Sequence, residues 1–158
     1  VAGVSRAGLQ QVRRLGVVPP AIARQRFGEA GVLDRVALQA LRQQVQLERQ
    51  LNPNLPLFIG GKSMGGRVAS LLLDELAASY GVKGCLCFGY PFHPPGKPLQ
   101  LRTKHLATLQ TPALILQGER DSFGRREEVD SYSLSQQIQL RWMPSGDHSL
   151  FLGHGRTA

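Results

Sequence analysis

The sequence is poor in cysteine, lysine, acids and aromatic residues, and each scarcity excludes something. Only two cysteines occur, Cys85 and Cys87, two apart in an apolar stretch. A strand would turn both to one face, where a mutual disulfide is geometrically awkward, so the two thiols read as small core residues in a reducing compartment. Aromatic residues make up 6%, and no apolar run approaches the length of about 18 residues that a membrane span needs. Residues 1–20 lack the basic start and apolar block of a signal peptide, so a cytoplasmic location is expected; the chain opens on Val rather than Met and is expected to be a fragment. With 42% hydrophobic and 19% charged residues, its 158 residues are enough for one globular domain with a sizeable core.

The scarce acids leave an imbalance, 19 basic residues against 11 acidic, for a net charge of +8. Fifteen of the basic residues are arginine, and eight of these fall in the first fifty positions beside three acids. Such a surface could attract nucleic acid or an anionic surface. There is no nucleic-acid motif and no aromatic interleaving, and an arginine excess is also what a GC-rich coding sequence produces, so nucleic acid is not the expected partner.

Residues 1–32 show no sustained helical or strand period and read as a weakly structured N-terminal segment of a single domain, 1–158. From Asp34, a plausible N-cap, the run to residue 50 places Ala37, Leu38, Leu41 and Val45 at helical spacing, closed by Asn52-Pro53-Asn54. An apolar strand over 55–59 then leads through Gly60-Gly61-Lys62-Ser63-Met64-Gly65-Gly66 into a helix over 67–80 that Gly81 ends. A buried strand over 82–88, a Pro-rich loop, a short helix near 102–109, a strand over 113–117, a helix over 125–132 and a strand over 138–143 complete the order. Strands alternating with helices imply right-handed crossovers, a mainly parallel sheet, and functional loops gathered at the strands' carboxyl ends.

Gly61-Lys62-Ser63-Met64-Gly65 matches G-x-S-x-G, in which a serine on a sharp strand-to-helix turn tolerates only small residues two positions to either side. In a chain with 18 glycines the match alone is weak; its position between a strand and a helix gives it weight. The following helix would aim its first N–H groups at the turn, with that of Met64 as an oxyanion donor. The same residues contain the Gly-Lys-Ser ending of a phosphate-binding loop, but Pro56 stands where that loop requires its first glycine.

A serine needs a base to take its proton, and the base needs a third group to fix its tautomer. Asp121, in Gly118-Glu119-Arg120-Asp121, and His148, in Gly146-Asp147-His148-Ser149, each follow a strand. The catalytic candidates are therefore Ser63, Asp121 and His148, with Glu119 and Asp147 as substitute acids. Lys62, Tyr90 and His93 are candidates to border a pocket, though a histidine in a Pro-rich loop is expected first of all to be an exposed one. His105 reads as a surface residue, His154 as part of a polar tail, and Arg125-Arg126-Glu127-Glu128 as a solvated helix face. No histidine has a partner at metal-ligand spacing.

Four stretches resemble the α/β-hydrolases, and more narrowly a small branch similar to dienelactone hydrolase and to the hydrolase-like subunit of the nonspecific lethal complex. They are Gly60 to Arg67, Gly89-Tyr90-Pro91-Phe92-His93-Pro94-Pro95-Gly96-Lys97-Pro98, Gln117 to Asp121, and Gly146 to Ser149, in that family's order and within residues 55–150. The resemblance implies a three-layer α/β/α fold with a mainly parallel sheet, of which this chain holds the C-terminal half. It also implies Ser63 as nucleophile, His148 as general base and acid, Asp121 as its orienting group, acyl transfer to water, and no metal or organic cofactor. Nothing in residues 1–32 resembles the strands with which such hydrolases begin, or the His-Gly type loop that supplies their second oxyanion donor.

Two functions are expected in order: a serine hydrolase acting on a small-molecule ester, thioester or lactone, and a non-catalytic interaction module or inactive fragment of the same family. A protein partner, or self-association through an exposed sheet edge, goes with the second.

Overall fold

The computed structural model describes residues 30–151. His154 and nearly all of the segment read as weakly structured lie outside that range. Helix α1 spans Ala30–Leu51 and so begins ahead of Asp34, which is its fifth residue and not its N-cap; helix ends are the least legible feature of a sequence. Leu41 and Val45 are buried, with Ala37 and Leu38 packed beside them, as their spacing predicts. Arg49 clips the end of α1 in place by donating to the carbonyls of Tyr80 at 2.8 Å, Pro53 at 3.0 Å and Leu55 at 2.9 Å.

Strand β1 (Leu57–Lys62) runs into helix α2 (Met64–Tyr80), which Gly81 ends in the left-handed conformation with φ 67°. Strand β2 (Val82–Phe88) follows, then a loop with a 3-10 turn at Lys104–Ala107, strand β3 (Ala113–Gly118), the single-turn helix α3 (Arg126–Val129) and strand β4 (Ile138–Met143). The helices expected near 102–109 and over 125–132 are thus each a single turn, shorter than expected. The Asp74 carboxylate anchors the entry to β3 by accepting the N–H groups of Gln110 and Thr111.

The four strands are parallel and lie in sequence order, β1-β2-β3-β4. Right-handed crossovers between strands in that order all fall on one face. On that face Ile59, Cys85, Cys87 and Ile115 share one core with Val68, Leu72, Leu73 and Leu76 of α2. The cysteines are buried free thiols with their sulfurs 3.6 Å apart, and the Cys85 hydrogen bond and burial push the Cys87 thiol up. The parallel sheet and its flanking helices are those of the expected α/β class. Among the described residues no element covers the opposite face, which presents Phe58, Leu86, Phe88, Leu114 and Leu116; Phe58 is 45% exposed and Phe88 37%.

Candidate active site

Ser63 stands alone between β1 and α2, at φ 50° and ψ −117°, a conformation that costs a non-glycine residue energy and that persists only where its surroundings enforce it. Its N–H donates to Phe88 O at 2.9 Å and its carbonyl accepts the N–H of Arg67 at 3.1 Å, which locks the turn at both ends. A Cβ on Gly61 would come within 2.7 Å of the Gly65 backbone, and one on Gly66 within 2.9 Å of Gly61 O. A Cβ on Gly65 would meet nothing. The steric demand on the helix side thus falls on Gly66, one residue beyond the position that the motif names.

His148 reaches this serine because the loop after β4 crosses the ends of β3 and β2. That path needs two glycines: a Cβ on Gly118 would collide with the carbonyl oxygens of Gly146 and Asp147, and one on Gly89, at φ 62°, would sit 2.5 Å from His148 O. His148 Nε2 lies 2.8 Å from Ser63 Oγ, and His148 Nδ1 lies 2.8 and 3.0 Å from the two oxygens of Asp121. A carboxylate can only accept, so Nδ1 carries the proton and Nε2 is left to accept from the serine. Phe123 stacks on the imidazole, ring centroids 4.1 Å apart, and fixes its plane from the side.

Asp121 has no exposed surface, and every donor it faces is an internal one. Besides His148, it accepts from Phe123 N at 2.8 Å and from Gln117 Nε2 at 2.8 Å. Gln117, also fully buried, cannot flip, because its Oε1 accepts from Tyr90 N at 2.8 Å while Nε2 also donates to Tyr90 O at 3.2 Å. The substitute acids are engaged elsewhere. Glu119 takes Ser145 N and Arg126, which hold its carboxyl below the usual range, and Asp147 accepts the N–H groups of Ser149 and Phe151.

Of the three pocket candidates, only Lys62 is exposed; it donates to Ser149 Oγ at 3.2 Å. Tyr90 and His93 are buried, at 0% and 2% exposure, and line nothing open: the Pro-rich loop folds into the core, with Tyr90 and Phe92 in ring contact at 4.8 Å. His93 donates from Nδ1 to Pro94 O at 2.8 Å and bridges to Glu128, so the expected solvated helix face is solvated only in part. His105, read as a surface residue, is half-buried against Ser70 Oγ at 2.8 Å, and burial, then the Arg67 charge, lower its pKa to about 4.

Ser63, Asp121 and His148 are the residues that chain order singles out, and the fold brings them together. Gln117 and Phe123 were missed. The period-2 pattern of β3 places Gln117 on the inward face with Ala113 and Ile115, which marks a buried amide that must be satisfied; nothing local marks Phe123. Among the described residues no group of three or more His, Cys, Asp or Glu side chains could hold a metal ion, and no helix is long and apolar enough to cross a membrane.

The chain is similar to solved structures at low identity, a likeness of fold. An alpha-beta serine hydrolase homologue from Coxiella burnetii superimposes with a TM-score of 0.58 at 17% identity, over 79% of this chain and 55% of that one. A Pyrococcus furiosus esterase gives 0.59 at 14% identity, over 72% of this chain and 54% of that one. The esterase domain of a Rhodothermus marinus protein gives 0.54 at 16%, over 72% and 59%. The chain thus spans between 54 and 59% of the length of these three structures. The sequence model of the alpha/beta hydrolase domain matches residues 31–154. With most of its length inside that match and its parallel sheet carrying the serine turn, the chain belongs to the alpha/beta hydrolase domain family.

Proposed function

We propose that the protein is a serine hydrolase that cleaves an ester, thioester or lactone-type acyl bond through an acyl-enzyme. The observation that carries this reading is the unbroken run of hydrogen bonds from Asp121 through His148 to Ser63 Oγ. In the proposed reaction, His148 Nε2 takes the Ser63 proton as Oγ attacks the acyl carbon. Asp121 stabilises the imidazolium so formed, and the Met64 N–H, unpaired within α2 because it belongs to the helix's first residue, donates to the developing oxyanion. Collapse breaks the bond to the leaving group, which departs with the proton from His148. Water, deprotonated by the same nitrogen, then attacks the acyl carbon, the bond to Ser63 Oγ breaks, and the proton on His148 returns to Oγ as the acid leaves.

The test is covalent labelling of the 158-residue chain by a fluorophosphonate, beside Ser63→Ala, His148→Ala and a heat-denatured control. Labelling is expected in the parent chain and in neither variant. A chain shown to be folded by circular dichroism that takes no label would instead favour a non-catalytic interaction module, a reading supported by the apolar sheet face that no described element covers.

A further inference from the structure

Lys62 is the last residue of β1 and the one before Ser63, and its ammonium is held at the hydroxyl of Ser149, the residue after His148. A positive charge is therefore held between the sequence neighbours of both groups that would carry the reaction. Its partner is neutral. Among the described residues no carboxylate pairs with it: Asp121 is taken by His148, Gln117 and Phe123, Glu119 by Arg126 and Ser145, and Asp147 turns Oδ1 to the N–H groups of Ser149 and Phe151. An ammonium has three donors, and one hydroxyl takes one of them. A charge at the end of a strand, tethered by one neutral contact at a site where a neutral ester needs no cation, is fitted to receive an anion.

On the reading of Ser63 and His148 above, we infer that Lys62 is a specificity-determining residue, and that the substrate carries a negatively charged group, a carboxylate or a phosphate, close to the scissile acyl bond. The anion displaces the Ser149 hydroxyl or shares the ammonium with it. The substrate is thereby drawn in by charge and aligned along the line from Lys62 to Ser149.

Matched neutral and anionic esters test this, with the charge on the acyl side (4-nitrophenyl butyrate against mono-4-nitrophenyl glutarate) or on the leaving group (methyl 4-acetoxybenzoate against 4-acetoxybenzoate). In one of the two pairs the anionic member is expected to have the higher kcat/KM by about tenfold, as one close, partly screened charge pair allows. That ratio should persist in Lys62→Arg, collapse in Lys62→Gln, invert in Lys62→Glu and shrink as salt rises. A ratio that Lys62→Gln leaves unchanged overturns the proposal and leaves the serine hydrolase reading intact. A measurement that needs no turnover separates the two: glutarate and 4-hydroxybenzoate are titrated into the 15N-labelled Ser63→Ala chain. Salt-sensitive shifts of the Lys62 and Ser149 amides that vanish in Ser63→Ala/Lys62→Gln are expected for at least one of the two acids. Their absence with both overturns the proposal, whatever the fluorophosphonate shows.

Discussion

Ser63 holds its strained backbone because both of its peptide groups are tied, one to Phe88 and one to Arg67, and because glycines at 61 and 66 let strand and helix touch. The same logic of enforced geometry applies to Asp121, whose carboxylate is pinned by Gln117 at the oxygen nearest His148 and by Phe123 N at the other. Gln117→Leu keeps roughly the shape but removes four hydrogen bonds, leaving Tyr90 N–H without its acceptor and one Asp121 oxygen with His148 alone. Urea unfolding is expected to show a loss of about 1–3 kcal/mol, the usual cost of an unsatisfied buried polar group. Fluorophosphonate labelling should slow as well, because only the Phe123 N–H then holds the carboxylate toward the imidazole; labelling at the parent rate would mean that Gln117 serves the core and not the site.

At the scale of elements, the 3-10 turn at Lys104–Ala107 is held to α2 by His105, whose ring nitrogen faces Ser70 Oγ and the Tyr90 hydroxyl. Ser70 Oγ donates to Arg67 O and Tyr90 Oη to Arg102 O, so both need a donor in return, which the neutral Nε2–H tautomer supplies. Burial, and then the Arg67 charge, lower the His105 pKa on folding from 6.5 to about 4. The unfolded chain binds more protons in that interval, so stability from this group is complete above about pH 6.5 and is lost as pH falls toward 4. The Tm is expected to drop between pH 7 and pH 5, before the lowered carboxylates of Glu75, Glu119 and Glu128 begin to titrate. His105→Gln, which can still donate to Ser70, should flatten that interval in a thermal melt. An unchanged slope would place the proton uptake elsewhere.

For the whole molecule, the order β1-β2-β3-β4 puts the helices of the described residues on one face and leaves Phe58, Leu86, Phe88, Leu114 and Leu116 as an apolar surface on the other. Parallel sheets are nearly always covered on both faces, and the proposal that a second copy associates through this surface is tested at its two phenylalanines. Phe58→Ser with Phe88→Ser is expected to reduce the concentration dependence of the sedimentation coefficient. At these half-exposed positions it should cost less than the roughly 3–5 kcal/mol per residue of truncating a buried phenylalanine. A loss at the buried level would show that both rings are covered in solution.

The sequence by itself determined the alternation of strands and helices, the ends of β4 through Ile138, Leu140 and Trp142, and the order of Ser63, Asp121 and His148 along the chain. Those features follow from periodicity and turn chemistry acting over a few residues. Tertiary structure alone decided that His148 meets a serine 85 positions away, that Gly89 and Gly118 clear its path, that Phe123 stacks on its ring, and that His93 and Tyr90 are buried. Each of these depends on strand register and on which loop crosses which strand end. Side chains distant in sequence acquire their neighbours only when the sheet is assembled, and no local pattern encodes a partner that the chain has not yet met.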